Sequence, residues 1–137
     1  MQHLKNRPHH LSDDGGSISA LVVSLTMTFM VCAGLAIDGG RIVAAKIRVG
    51  DTAENAARAG AQALTDIRSG IPRIDAPRAS RIASAYLETA GSQGRIEASQ
   101  LEVCVTVRST ETMTLLQLVG VSTRQVAATR CAQPIME

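Results

Sequence analysis

The chain has 137 residues, which is room for one compact domain and little else. Apolar residues make up 45% of it, but Phe29 and Tyr86 are its only aromatic side chains, so a deep small-molecule pocket is not expected. Fourteen Lys and Arg residues against 12 Asp and Glu give a net charge of +2. No basic stripe is interleaved with aromatics, and nucleic acid is therefore not expected as a partner.

A long stretch without charged residues separates Asp14 from Asp38. Its apolar part, residues 18–37, would span about 30 Å as an α-helix, which matches the hydrocarbon thickness of a bilayer. A buried core helix is seldom so long and charge-free in a small domain. The apolar region of a cleaved secretory signal is shorter, typically about 7 to 15 residues. The sequence therefore predicts one transmembrane helix over residues 18–37, with the lipid bilayer as a partner.

Small residues occur at consecutive i+4 steps along this helix and form a candidate helix-packing ridge. In lipid, small residues that let two backbones approach closely are the usual signature of helix association. Small residues are also common in any membrane helix, so a contact surface and ordinary composition both remain open. The ridge consists of Ala20, Ser24, Thr28, Cys32, Ala36 and Gly40.

Charge does not decide which way this helix crosses the membrane. Lys5 and Arg7 precede it, while Arg41, Lys46 and Arg48 follow it closely. Because positively charged residues normally stay on the cytoplasmic side, charges at both ends are compatible with either orientation.

The composition after residue 38 remains strongly helical, rich in Ala and without Pro, which predicts that the helix continues as a stem over residues 38–68. Ser69-Gly70-Ile71-Pro72 should stop it. A second helix is predicted over residues 76–90, with Pro77 suited to its first turn.

Alternating apolar residues predict a strand at about 96–108, and a segment rich in Val, Thr and Ala predicts a second strand at about 121–131. Cys104 and Cys131 fall on the more polar face of these strands, which could be neighbours in one antiparallel sheet. A disulfide between them would place the domain in an oxidising compartment. Two unpaired thiols in a cytosolic domain are the alternative. The predicted fold class is α+β, with a single transmembrane helix, a stem helix, a second helix and a small sheet.

No constellation for catalysis is visible in this sequence. His3, His9 and His10 lie in a polar tail, where solvated side chains are far commoner than metal ligands. Gly39-Gly40 follows no strand and precedes no Lys-Ser or Lys-Thr, so it is not a phosphate loop. We therefore expect no enzyme activity, no cofactor, no metal and no small-molecule substrate.

Two segments of the chain have a recognisable pattern. Gly16-Ser-Ile-Ser-Ala20 precedes the apolar run, and the run Asp51 to Ala61 ends in Asn-Ala-Ala-Arg-Ala-Gly-Ala. These segments resemble the Flp pilus-assembly TadE/G-like (Tad) family, which has a sequence such as Gln-Asn-Ala-Ala-Asp-Ala-Ala-Ala-Leu-Ala-Gly-Ala where Asp51 to Ala61 stands here. The resemblance covers Gly16 to Ala61. Its family-motif residues in this chain are Asp38, Arg41, Asn55, Ala56, Ala57, Ala59, Gly60 and Ala61.

The resemblance implies a pilin-like, single-pass cell-membrane protein of the tight-adherence machinery. It implies a cytoplasmic tail over residues 1–17, an extracytoplasmic domain over residues 38–137, and other pilus-assembly or pilin-like membrane proteins as partners. Some members are cleaved after a glycine that has a glutamate five residues further on. Here the candidate processing site is Gly16-Ser17, and Leu21 stands at that fifth position, which favours an uncleaved assembly factor. The alternative function is a membrane-tethered extracellular binding or structural module unrelated to pilus formation.

Overall fold

A computed structural model describes residues 14–65 and 72–134 of the chain. The chain divides into two compact units, Met1–Gly34 and Leu35–Glu137. Two sequence predictions lie outside the described residues: the polar tail with its three histidines, and the helix stop at residues 69–71. The α+β class is confirmed, because a long apolar helix is followed by a second helix and small antiparallel sheets.

The first helix, α1, runs through Asp14–Ala61, a length of 48 residues. In the first unit its large apolar side chains, from Ile18 to Val31, are between 52% and 68% exposed. Within the described residues this is the one helix that is long and apolar enough to cross a membrane.

The stem helix ends earlier than the sequence predicts. The helical composition extends to residue 68, but α1 ends at Ala61. Ala63 N–H donates to Gly60 O at 3.0 Å, and Ala63 O accepts from Asp75 N–H at 2.8 Å. Strand β1 (Leu64–Thr65) then pairs antiparallel with β2 (Arg73–Ile74). These hydrogen bonds to a distant segment take the place of another helical turn, which is tertiary context overriding helix propensity.

A three-stranded antiparallel sheet forms the other side of the second unit. Its strands are β3 (Gln93–Ala98), β4 (Val103–Thr112) and β5 (Thr123–Ala132), in the order β3-β4-β5. The prediction of a single strand over residues 96–108 is therefore wrong, since β3 and β4 both lie partly within this region. Ser99 Oγ accepts the N–H groups of Leu101 and Glu102 and turns the chain between them. The predicted strand at 121–131 is β5, shifted at both ends.

The core of the second unit lies between the C-terminal part of α1, the sheet and helix α2 (Ala76–Thr89). The Asp75 side chain caps α2 by accepting the N–H of Arg78 at 3.2 Å, and a proline lies in its first turn. Alanine supplies most of the helical part of this core, while valine supplies most of the sheet part. Small side chains on both helices let the backbones approach closely, so the core is thin and needs no aromatic residues. The fully buried residues include Ala53, Ala56, Ala57, Ala79, Ala83, Val103 and Val105.

Candidate functional site around Asp38

Asp38 is the one buried charged residue in the described part of the chain, with 0% of its surface exposed. Its carboxylate accepts three backbone N–H groups from the loop between β4 and β5. Thr114 N–H donates to Oδ1 at 3.1 Å, while Leu115 N–H and Leu116 N–H donate to Oδ2 at 2.9 Å and 2.7 Å. A charged carboxylate with three such donors is well compensated for its burial. Asp38 therefore fixes the loop to α1 across 76 to 78 residues of sequence.

The pKa of the Asp38 carboxyl lies below its ordinary value of 3.8. The largest cause is the hydrogen bond from Leu116 N–H, and burial opposes it by favouring the neutral acid. The N–H groups of Thr114 and Leu115 and the positive charge of Arg41 add to the lowering. The carboxyl is therefore ionised at neutral pH, the form that accepts all three hydrogen bonds.

Two further contacts join the same part of α1 to the same end of the sheet. The Arg41 guanidinium donates to Thr114 Oγ1. Arg48 Nη2 lies 3.4 Å from Glu111 Oε1, near the end of β4. The Arg48 side chain is 66% exposed, so this ion pair adds little on its own. Asp38 therefore remains the principal attachment.

The loop held by Asp38, residues 113–121, contains several backbone hydrogen bonds, but some of its apolar side chains are exposed. Met113 is buried, and its N–H donates to Ser122 O at 2.9 Å. A 3₁₀ helix follows at Leu116–Val119 and ends at Gly120, whose φ of 90° favours glycine. Leu118 is 85% exposed, the largest value among the exposed large hydrophobic residues. We call residues 113–121 the apolar loop.

The family-motif run at the end of α1 packs inside the second unit rather than at its surface. Ala56 and Ala57 are fully buried and Ala61 nearly so, whereas Asn55 is exposed and Ala59 is intermediate. A Cβ at Gly60 would lie 3.1 Å from Ala79 O and 3.2 Å from Val103 Cγ1. Gly60 thus marks a close approach of α1 to α2 and the sheet. Arg41, the other charged motif residue, is exposed and bonds the apolar loop as described above.

The structure brings Cys104 and Cys131 together. They are directly paired across β4 and β5, and their sulfurs are joined with Cα atoms 4.0 Å apart. Glu102 has a carboxylate oxygen within 4.8 Å of both sulfurs, a grouping that could suit a metal if the thiols were free. With the two sulfurs bonded to each other, neither offers the thiolate that a metal requires.

The candidate ridge and processing site both lie on α1. Ser24 Oγ donates to Ala20 O and Thr28 Oγ1 donates to Ser24 O, each at 2.8 Å, so both hydroxyls are satisfied within their own helix. Cys32 is an exposed free thiol. Ala36 and Gly40 are exposed, as are Gly16 and Ser17. These exposures leave the ridge and the processing site as predictions.

Sequence reasoning singled out Asp38 but missed what it binds. The loop residues that complete the site are Thr114, Leu115, Leu116 and Leu118. One signal was present: an apolar run, Met-Thr-Leu-Leu-Gln-Leu-Val, interrupts a region of otherwise alternating strands. Such a run is too short to span a membrane, and sequence alone does not reveal its partner.

In the described residues, these features define an α+β protein with a long apolar helix that could cross a membrane. Within the second unit, a buried carboxylate on that helix holds the loop between β4 and β5.

Residues 16–63 match the sequence model of a protein family described as "Putative Flp pilus-assembly TadE/G-like" (Tad). This confirms the resemblance predicted from the sequence. The matched segment is just over a third of the 137 residues and contains both the apolar run and Asp38. It supports involvement in Flp pilus assembly. Neither the curated proteins nor the solved structures include a match to this chain.

Proposed function

We propose that this protein is a membrane-anchored, pilin-like assembly factor of a tight-adherence (Flp/Tad) pilus. The observation that carries the proposal is the position of the family match. It begins two residues before the apolar run and ends two residues after α1, so it covers the anchor, Asp38 and the alanine-rich packing face together. Lateral contacts of the anchor and contacts of the folded domain are then the means by which the protein works.

In this proposal the N-terminus is cytoplasmic and the second unit is outside the cytoplasm. The bond between Cys104 and Cys131 supports this orientation, because disulfides persist mainly in oxidising compartments. Charge counting is compatible with either orientation, so the cysteines carry more weight than the flanking Lys and Arg residues.

The absence of glutamate at position 21 favours a protein that stays in the membrane. Leu21 is 65% exposed on α1 and offers lipid an apolar side chain. In a filament, a glutamate near the start of the helix could pair with a positive charge on a neighbouring subunit, and leucine has no such capacity. The proposal is therefore an uncleaved anchor beside the assembly machinery.

Fractionation and co-purification test this function. A tagged full-length chain should be found in the membrane fraction and should recover pilus-assembly proteins, and deletion should reduce the number of surface pili. The matched control is a tagged chain in which the apolar residues 18–37 are replaced by an unrelated transmembrane sequence. A tagged wild-type chain found mainly in the soluble fraction would contradict the anchor. Normal piliation after deletion would instead favour the tethered binding module.

A thiol-labelling experiment tests the orientation. A membrane-impermeant thiol reagent applied to intact cells should label Cys104 and Cys131 after reduction and not before. Cys32→Ser should be used as the background, so that labelling reports only the two strand cysteines. Labelling that requires cell lysis would reverse the orientation.

A further inference from the structure

We propose that the apolar loop, residues 113–121, is a lipid-contacting element that lies in the headgroup region of the bilayer and inserts Leu118 toward the acyl chains. This inference rests on the proposed function, since it requires that α1 crosses a membrane. It adds a second, peripheral contact between the folded domain and the lipid surface.

The first step is the position at which the loop is attached. Asp38 directly follows Ile37, the last residue of the predicted span, and both residues belong to the second unit. Leu35 and Ile37 are 55% and 54% exposed there, as expected for the end of a lipid-facing helix. The carboxylate of Asp38 then holds the N–H groups of three consecutive loop residues. The loop is thus fixed at the level where the apolar run ends.

The second step is how far Leu118 can lie from that level. Leu116 N is 2.7 Å from the Asp38 carboxylate, and Leu118 is two residues further along a 3₁₀ helix. At a rise of about 2.0 Å per residue, this adds about 4 Å along the helix axis. The headgroup layer on each side of a bilayer is roughly 5 to 7 Å deep, from the difference between the hydrocarbon and total thicknesses. The Leu118 backbone is therefore only about 7 Å from the Asp38 carboxylate, a distance comparable to the depth of the headgroup layer.

The third step is the chemistry of the exposed side chains. Leu118 and Val121 are 85% and 40% exposed, and both are apolar. Arg41 bonds Thr114 of the same loop and carries a positive charge that suits a lipid phosphate. Apolar side chains next to a cation form the usual pattern of an element that lies in the membrane interface. Lipid is favoured over a second protein copy because the loop is attached directly to the end of the apolar run.

The chain itself provides a matched control. Leu101 is also an exposed leucine in a turn, with 76% of its surface free, but it precedes β4 whereas the apolar loop follows it. The ten residues of β4 place the two turns about 30 Å apart at roughly 3.3 Å per residue. The start of β4 lies beside Gly60, where Val103 Cγ1 is in contact range, and Gly60 is 22 residues further along α1 than Asp38. Leu101 should therefore remain in water.

Single-tryptophan fluorescence tests the proposal, because the wild-type chain contains no Trp. Leu118→Trp, Leu101→Trp and Phe29→Trp would each be reconstituted as full-length protein in vesicles of phosphatidylcholine and phosphatidylglycerol. The acyl chains would be unbrominated, brominated near the headgroups, or brominated deep in the bilayer. Bromine quenches only a tryptophan that contacts lipid. We expect Leu118→Trp to emit at shorter wavelength than Leu101→Trp and to lose intensity with brominated lipid, while Leu101→Trp loses none.

Phe29→Trp separates failure of the anchor from failure of this inference. Phe29 is in the middle of the apolar run. If deeply brominated lipid does not quench the tryptophan of Phe29→Trp, the proposed function itself is overturned. If Phe29→Trp is quenched and Leu118→Trp is not, the anchor stands and the lipid-contacting loop is overturned. A Leu118→Trp emission that is at short wavelength, unquenched, and shifted by diluting the protein in the bilayer would mean that a second copy covers the loop, which also overturns the proposal.

Asp38 provides a second readout. Adding Asp38→Asn to Leu118→Trp should reduce the quenching by brominated lipid, since the amide has one acceptor oxygen where the carboxylate has two. Adding Asp51→Asn, an exposed carboxylate further along α1, should leave the quenching unchanged. Equal quenching in the Asp38 and Asp51 variants would show that Asp38 does not position the loop.

Discussion

The two parts of α1 are both regular helix, but they differ in which side chains they expose and which they bury. In the first unit, bulky side chains such as Leu21, Phe29 and Met30 are at least 65% exposed. In the second unit, the buried face of the same helix consists mainly of small residues, with Ala53, Ala56 and Ala57 fully buried. The first part has the surface that a lipid environment requires, and the second has the surface that close packing against α2 and a sheet requires.

This difference shows that hydrophobicity alone does not identify the packing face of a helix. Val43 and Ile47 are larger and more apolar than alanine, yet they are 60% and 57% exposed, while Ala45 is buried. Small side chains fit best on the buried face of α1, because α1, α2 and the sheet pack closely together. A variant that enlarges a side chain should therefore have different consequences in the two parts of α1.

The largest effect is expected from removing the bond between Cys104 and Cys131. It closes a sequence separation of 27 residues, and chain entropy predicts a loss of about 3.5 kcal/mol in the free energy of unfolding. Cys104→Ser combined with Cys131→Ser should therefore destabilise the second unit in denaturant titrations followed by circular dichroism in detergent. The helix of the first unit should keep its ellipticity.

Cys32→Ser is the control for this prediction. Cys32 is an exposed thiol on the first part of α1, so its replacement should leave the unfolding midpoint unchanged. A double variant as stable as Cys32→Ser would show that the strand cysteines are not bonded in solution.

Two variants that each enlarge an alanine test the difference between the two parts of α1 directly. Ala57→Leu adds a large side chain at a position with 0% exposure, and overpacking of this kind costs about 3 kcal/mol. Ala33→Leu makes the same change at an exposed position in the first unit and should alter stability by no more than about 0.5 kcal/mol. Thermal unfolding in the same detergent measures both. Equal destabilisation by the two variants would remove the distinction between the two parts of α1.

The attachment of the apolar loop should depend on pH. Because the pKa of Asp38 is lowered in the folded protein, its contribution to stability is fully present above the ordinary value of 3.8 and is lost as pH falls through the folded pKa. Asp38→Asn should be less stable than wild type at neutral pH, and the difference between their unfolding midpoints should shrink below pH 3.8. Asp51→Asn is the control at each pH. A difference that stays constant at acid pH would mean that the charge of Asp38 is not what holds the loop.

The sequence predicts most of the fold because local signals carry it. Residues 18–37 are apolar and uncharged, Asp75 and Pro77 start α2, and the alternating valines mark the strands. Two predicted boundaries are wrong because neighbouring segments compete for the backbone. The pairing of Leu64 with Ile74 ends α1, and the Ser99 turn divides one alternating run into two strands.

The site around Asp38 could not be predicted because it is a contact between distant residues. Resemblance singled out Asp38 and Arg41 but gives no indication of their partners. Thr114, Leu115 and Leu116 bind Asp38 through backbone N–H groups, which any residue except proline has, so no sequence pattern marks them. The pairing of β4 with β5 places their connecting loop at one end of the sheet, and only the folded structure shows that this end meets Asp38.

The smallest effect on stability is expected on the candidate ridge. Ser24 Oγ donates to Ala20 O within its own helix, so Ser24→Ala should change the unfolding free energy by less than about 0.5 kcal/mol. It also keeps the residue small, and self-association measured by energy transfer between labelled chains in vesicles should not change. Ser24→Leu retains the helix but prevents close approach of a neighbouring backbone, so it should weaken association if the ridge is a contact surface. Association as strong as that of Ser24→Ala would mean that the small residues reflect composition alone.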